Sequence, residues 1–213
     1  MVDAVVKIGG SFQADTQALK NLCQTLKKAS NKHRLLIVPG GGKFADLVRH
    51  LQQERGLSDQ TAHVMAIFGT NIFGYMLQDF IKGSTLTRSL KRVGSRGCSI
   101  FLPLEELRGC EELEPSWNVT SDSIAAWTSA KIGCKRLILV KMVNGIFRRG
   151  KLQTSVSTQR LKEMNQSVVD RKLPELLERA EITCWVVNGN YPERIEEVLN
   201  VGKTVCTVIV PGA

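Results

Sequence analysis

Val5-Val6-Lys7-Ile8-Gly9-Gly10-Ser11, read with Ile37-Val38-Pro39-Gly40-Gly41-Gly42, decides how this chain folds. Each stretch is a short apolar run that breaks into glycines. Such a run reads as a buried strand ending in a turn. In an open parallel sheet, ligands gather beyond the carboxyl ends of the strands. Glycine there lets the backbone approach an anion and present N–H groups to it. A helix opening after Gly42 adds the positive end of its dipole. Two such turns on neighbouring strands would hold a phosphoryl group between two substrates. The candidate phosphate-binding residues are therefore Gly9, Gly10, Ser11, Gly40, Gly41 and Gly42. Lys7 is the odd member of its strand. Spacing leaves two readings for it: an ammonium that meets a polyphosphate at the strand end, or a lysine snorkelling to solvent.

Outward from these turns, strand and helix alternate. Helices are expected over 16–29, 44–53, 59–81, 121–130, 158–164, 173–180 and 192–199. In the second of these, Phe44, Leu47, Val48 and Leu51 form the inward stripe, and Ser58 caps the third. Further strands are expected over 98–102, 136–140, 182–187 and 204–210. The polar, basic stretch 83–97 reads as a loop. This alternation implies an α/β fold, a three-layer αβα sandwich around a mostly parallel sheet. One domain over 1–213 is expected, with an N-terminal half to about residue 115 and a C-terminal half from about 116.

The 213 residues are 43% hydrophobic and 23% charged, an ordinary globular balance. No apolar run is long enough to span a bilayer, and the N-terminus lacks a signal-peptide pattern, so no membrane role and a cytoplasmic setting are expected. The six cysteines form no CxxC pair and read as free thiols. The formal charge of +9 suits an anionic partner. The basic clusters are Arg88, Lys91, Arg92 and Arg96, and Lys141, Arg148, Arg149 and Lys151. Neither is interleaved with base-stacking aromatics, so no nucleic-acid partner is expected. Gly202-Lys203-Thr204 mimics a P-loop tail, but Glu197 stands where the leading glycine belongs. No dinucleotide fingerprint, no nucleophile elbow and no metal-ligand cluster is present. Asp122, in Thr120-Ser121-Asp122-Ser123, opens a helix. It is either a cap or a carboxylate that orients lysines or holds the metal that accompanies ATP.

In this order the segments resemble the amino acid kinase superfamily. Val5–Ser11 looks like its opening phosphate turn and Ile37–Gly42 like its acceptor turn. Asn118–Ala126 looks like the segment of its organising aspartate, and Leu139–Phe147 like its nucleotide turn. The resemblance implies ATP-dependent phosphoryl transfer with Mg2+. Lys7 would steady charge on the moving group, Asp122 would orient lysines, and Lys172 would be the second lysine, with Arg171 beside it. Lys141, Val143, Asn144, Gly145 and Phe147 would bind nucleotide. Finer details resemble a small archaeal and methylotroph branch: Pro39–Asp46, Leu57-Ser58-Asp59, Ala62–Ile67, Trp117, Asp122–Trp127 and Val187–Arg194. That branch phosphorylates [5-(aminomethyl)furan-3-yl]methyl phosphate to its diphosphate in methanofuran biosynthesis. Arg49 and His63 would then face the acceptor phosphate, although a histidine on an apolar helix also reads as a core residue. There is no room before Ser58 for the hairpin lid of acetylglutamate kinases. The chain departs from the family at Met142 and Asn144, where aspartates are usual, and at Cys206-Thr207, where Gly-Thr is common. A uridylate-type kinase and a non-catalytic binding or scaffold subunit are the alternatives. By resemblance, the partners are a nucleotide and a small phosphorylated metabolite, and the chain forms a homo-oligomer through its N-terminal half.

Overall fold

The computed structural model describes residues 1–212. The strands are β1 (Ala4–Ile8), β2 (Leu35–Pro39), β3 (Thr85–Thr87), β4 (Cys98–Phe101), β5 (Arg136–Lys141), β6 (Phe147–Arg148), β7 (Lys151–Leu152), β8 (Ser155–Ser157), β9 (Thr183–Asn188) and β10 (Cys206–Val210). The helices are α1 (Thr16–Ala29), α2 (Gly42–Arg55), α3 (Asp59–Phe80), α4 (Leu104–Leu107), α5 (Ser121–Lys131), α6 (Thr158–Glu163), α7 (Leu173–Arg179) and α8 (Glu193–Val201).

Eight strands form one sheet in the order β3-β4-β2-β1-β5-β9-β10-β8. All pairs are parallel except β9 with β10. The strand alternation sorts the core into two layers. Val5, Leu36, Leu137, Leu139 and Val186 face α5 and α7. Ala4, Val6, Ile8, Ile37, Ile138 and Val140 face α1, α3 and α8. Each fully buried aliphatic side chain of this kind contributes about 1.5–3 kcal/mol. Both faces are covered, which is why the central strands read as unbroken apolar runs.

The helix starts follow local chemistry. Asp15 accepts from Ala18 N at 2.9 Å and opens α1; Ser58 accepts from Thr61 N at 3.2 Å and opens α3. Between α2 and α3 stand only Gly56, Leu57 and Ser58, with Gly56 left-handed at φ 65°. No strand intervenes there, as expected from the sequence.

Two expectations need correction. The stretch 83–97 is not all loop: Thr85–Thr87 pairs parallel with Ser99–Phe101 as the sheet's edge strand. Leu47 does not face inward; it is 56% exposed, and Val48 is the buried residue of α2. Among the described residues, no helix is long and apolar enough to cross a membrane. All six cysteines are free. Burial pushes Cys23 and Cys98 up to about 12, so both thiols stay protonated.

Candidate active site

The two glycine turns meet backbone to backbone. A Cβ on Gly10 would sit 2.1 Å from Gly42 N, and one on Gly40 would sit 2.4 Å from Gly10 N. Only glycine permits this approach. Gln13, just past the first turn, links it to the second. Its Nε2 donates to Gly41 O at 3.2 Å and its Oε1 accepts from Lys43 N at 2.9 Å. Gly9 departs from its expected role. Its N–H donates to Val140 O at 2.8 Å and so is spent on the strand edge rather than offered to phosphate. Its need for glycine is steric, since a Cβ would lie 2.9 Å from Val140 O.

Beside the turns lies a buried charge cluster. Lys7 is 4% exposed and Asp122 is 2% exposed. Asp122 Oδ1 is 2.8 Å from Lys7 Nζ, and its Oδ2 is 2.6 Å from Lys141 Nζ. Strand register explains the convergence. Lys7 pairs with Leu139, so Lys141 stands two residues further along β5 and projects from the same sheet face, under α5. Burial alone would raise the Asp122 pKa, but the Lys141 and Lys7 charges outweigh it and hold the carboxyl well below the usual range. Burial also lowers the Lys7 pKa, opposed by Asp122. Breaking such a buried pair costs about 3–5 kcal/mol.

The geometry removes one of the readings left open for Asp122. It is not the cap of its helix. Asp170 takes that role, accepting from Thr120 N at 2.9 Å, Ser123 N at 3.0 Å and the hydroxyls of Thr120 and Ser123. Asp170 also accepts from Leu173 N at 2.9 Å, so one carboxylate caps α5 and α7 together. Burial and the nearby Asp122 charge raise its pKa. Both Asp122 oxygens are turned to ammoniums. Lys172, expected as the second lysine, is not paired with Asp122; its backbone N–H donates to Asn118 O at 3.2 Å. It pairs with Glu175 at 2.8 Å at the start of α7. The second ammonium on Asp122 is that of Lys141.

Lys7, Gly10, Ser11, Gly41 and Gly42 line a cavity of about 510 Å3, and Arg49 and His63 line it too. Arg49 lies 4.1 Å over the Trp117 ring and 2.9 Å from Asp46. Trp117 in turn donates to Gln52 Oε1 at 2.6 Å. Burial lowers the His63 pKa, which favours a neutral imidazole. The first basic cluster does not line this cavity; Arg88 instead bonds Tyr75 and Glu105.

Across β1 lies the second half of the site. Asn144, Gly145 and Phe147 follow β5, with Val143 and Phe147 exposed. Asn144 Oδ1 accepts from Arg194 Nη1 at 2.7 Å and Asn188 Nδ2 at 3.0 Å. Arg194 stacks on Tyr191 at 4.2 Å. Gly145 has φ 138°, and a Cβ there would meet Thr207 Oγ1 at 2.4 Å. Thr207, fully buried, accepts from Ile146 N at 2.8 Å and pins the turn.

Sequence reasoning missed Gln13, Asp170 and Arg194 as site residues. Asp170 carried a signal, since an aspartate just ahead of Leu173-Pro174 is a helix-start pattern. Its reach to α5, some 50 residues earlier in the chain, carried none.

Comparison with known proteins places the chain in a family. Residues 4–188 match the model of the amino acid kinase family. The chain belongs to that family, and its reaction class is ATP-dependent phosphoryl transfer. It is 31% identical over 212 residues to the [5-(aminomethyl)furan-3-yl]methyl phosphate kinase of Methanocaldococcus jannaschii, covering 97% of each chain. It is 25% identical to the uridylate kinase of Sulfurisphaera tokodaii, covering 97% and 98%. The crystal structure of the Archaeoglobus fulgidus uridylate kinase superposes with a TM-score of 0.79 at 19% identity, over 99% of this chain and all of the other. That last likeness speaks to the fold.

Proposed function

We propose that this chain moves the γ-phosphoryl group of ATP onto the phosphate of a small phosphate monoester, with [5-(aminomethyl)furan-3-yl]methyl phosphate as the acceptor. An acceptor phosphate oxygen attacks the γ-phosphorus. The bond from that phosphorus to the β–γ bridging oxygen breaks, leaving ADP and a diphosphate. The observation that carries this reading is the shared cavity, in which Lys7 and the second glycine turn stand together with Arg49 and His63. Lys7 steadies the charge on the transferred group, and Asp122 fixes the ammonium in place. Arg49, held flat on Trp117, offers forked donors to the acceptor phosphate. Asn144, Gly145 and Arg194 take the nucleotide. Mg2+ comes in on the ATP phosphates, in keeping with its preference for substrate oxygens and water. The identity to the M. jannaschii enzyme supports this choice of acceptor.

A second reading, a nucleoside monophosphate acceptor, is favoured by one observation: Trp117 presents an aromatic ring at the same cavity. The free, mostly buried thiols suit a cytoplasmic chain. Phe68, Ile72 and Tyr75, exposed at helical spacing on α3, suit a homo-oligomer through the N-terminal half. Purified protein with ATP, Mg2+ and each acceptor should release ADP with the furan-methyl phosphate and little with UMP. ATP binding without turnover on either would replace the enzyme reading with a binding or scaffold role.

A further inference from the structure

We propose that the chain binds a small phosphate-bearing anion at a second site, a basic cavity at the end of the sheet opposite the glycine turns. This cavity measures about 870 Å3, within the range of small-molecule sites. It is built at the starts of strands rather than their ends: Arg34, on its wall, immediately precedes Leu35, which pairs with Ala4 at the head of β1. Lys91 lines it from the short turn Leu90–Arg92, and Arg108 from the residue after α4. Trp127 and Lys131 line it from the second half of α5. The Arg34 guanidinium is half-buried and fixed, donating through Nε to Gly94 O at 2.6 Å and through Nη2 to Val93 O at 3.2 Å. Among the described residues no carboxylate pairs with Arg34, Lys91 or Arg108. The acids of the same wall are mostly committed elsewhere: Glu106 accepts from Ser89 Oγ and Leu90 N, and Glu112 pairs with Lys131. That leaves Glu111 against three cations. A half-buried cation held only by neutral carbonyls gains from an arriving anion. Trp127 adds an independent observation. It is 5% exposed, and its buried Nε1 has no hydrogen-bond partner among the described residues. A buried donor is rarely left unpaired, and a ligand oxygen in this cavity would pair it. Because the cations stand on three separate segments, they suit the several-sided oxygens of a phosphate better than a planar carboxylate, which one arginine fork can satisfy. Lys91 belongs to the basic cluster that stands clear of the acceptor cavity, and this site gives it a ligand.

The tryptophans supply the test. Protein labelled with 5-fluorotryptophan gives separate 19F resonances for Trp117, Trp127 and Trp185, assigned by Trp117→Phe, Trp127→Phe and Trp185→Phe. Titration of the wild type with inorganic pyrophosphate should shift the Trp127 resonance with a midpoint below about 1 mM. Lys91 and Arg108 are both exposed, so Lys91→Ala/Arg108→Ala should fold normally. In that double variant the Trp127 midpoint should rise about tenfold or more, while any response of Trp117, at the acceptor cavity, should keep its midpoint within about twofold. No shift at Trp127, a shift matched by sodium chloride at equal ionic strength, or an unchanged midpoint in the double variant would overturn the proposal. Citrate, of similar charge, should need about threefold more ligand than pyrophosphate, and an equal midpoint would overturn the assignment to phosphate. The readout needs no turnover, so a wild type that phosphorylates no acceptor defeats the kinase reading and leaves this test standing.

Discussion

The two halves of this site, proposed for acceptor and for nucleotide, are held together by different means. Around Gly10, Gly40 and Gly42 backbone meets backbone, with the Gln13 side chain bracing the contact. Around Asn144 side chain meets side chain: amide to amide, and amide to guanidinium. Each half has an arginine stacked on an aromatic ring, at 4.1 Å for Arg49 on Trp117 and 4.2 Å for Arg194 on Tyr191. Arg49 has a carboxylate beside it, whereas Arg194 donates to the neutral oxygens of Asn144 and Val205. The half fixed by backbone geometry cannot change without breaking. The half fixed by side chains can change one residue at a time.

The sharpest break in this contrast comes at the junction. Lys7→Ala and Asp122→Ala should each cut the turnover rate about a thousandfold. Asp122→Ala strands two buried ammoniums and should also lower unfolding stability by about 3–5 kcal/mol. Near-wild-type rates from either variant would mean that the cluster is only structural. Gly10→Ala should come next. Its methyl meets backbone rather than a movable side chain, so activity should vanish and the melting temperature should fall, whereas a well-folded, active variant would contradict the turn contact. Asp170→Ala removes caps from two helices and should cost about 2–4 kcal/mol by denaturant titration.

A paired test separates the halves. Arg49→Ala should raise the acceptor KM about tenfold and spare that for ATP; Arg194→Ala should do the reverse. The same change in both constants from either variant would erase the distinction. The smallest effect belongs to His63. Its folded pKa lies below the ordinary 6.5, so the unfolded chain binds the proton more readily. Stability should therefore decline as pH falls through and below 6.5, and His63→Gln should flatten that decline. An identical pH profile in the variant would show that His63 does not titrate as its burial implies.

Much of the frame was legible in the sequence, because buried strands and amphipathic helices write their period into composition. The helix from Thr16 to Ala29 appears with its expected bounds, Lys7 stood out as the one charged residue of an apolar strand, and Asp122 as a carboxylate in the first turn of a helix. What escaped had no local pattern. Thr85–Thr87 is three residues long and polar, and it becomes a strand only by pairing with β4. Leu47 kept helical spacing but faces outward, since periodicity fixes a stripe and not what covers it. The pairing of Lys141 with Asp122 depended on strand register, which places a residue of β5 beside Lys7. Gln13 and Asp170 act across 28 to 50 positions, and only the folded chain brings those ends together.

The contact between Gly10 and Gly42 also constrains how such a site can be inherited. Neither turn can drift alone, because any side chain on one collides with the main chain of the other. The pair can therefore change only as one unit, whereas the residues lining the cavity beyond it are under no such steric tie. A lineage can thus exchange one phosphorylated acceptor for another without rebuilding the apparatus that moves the phosphate.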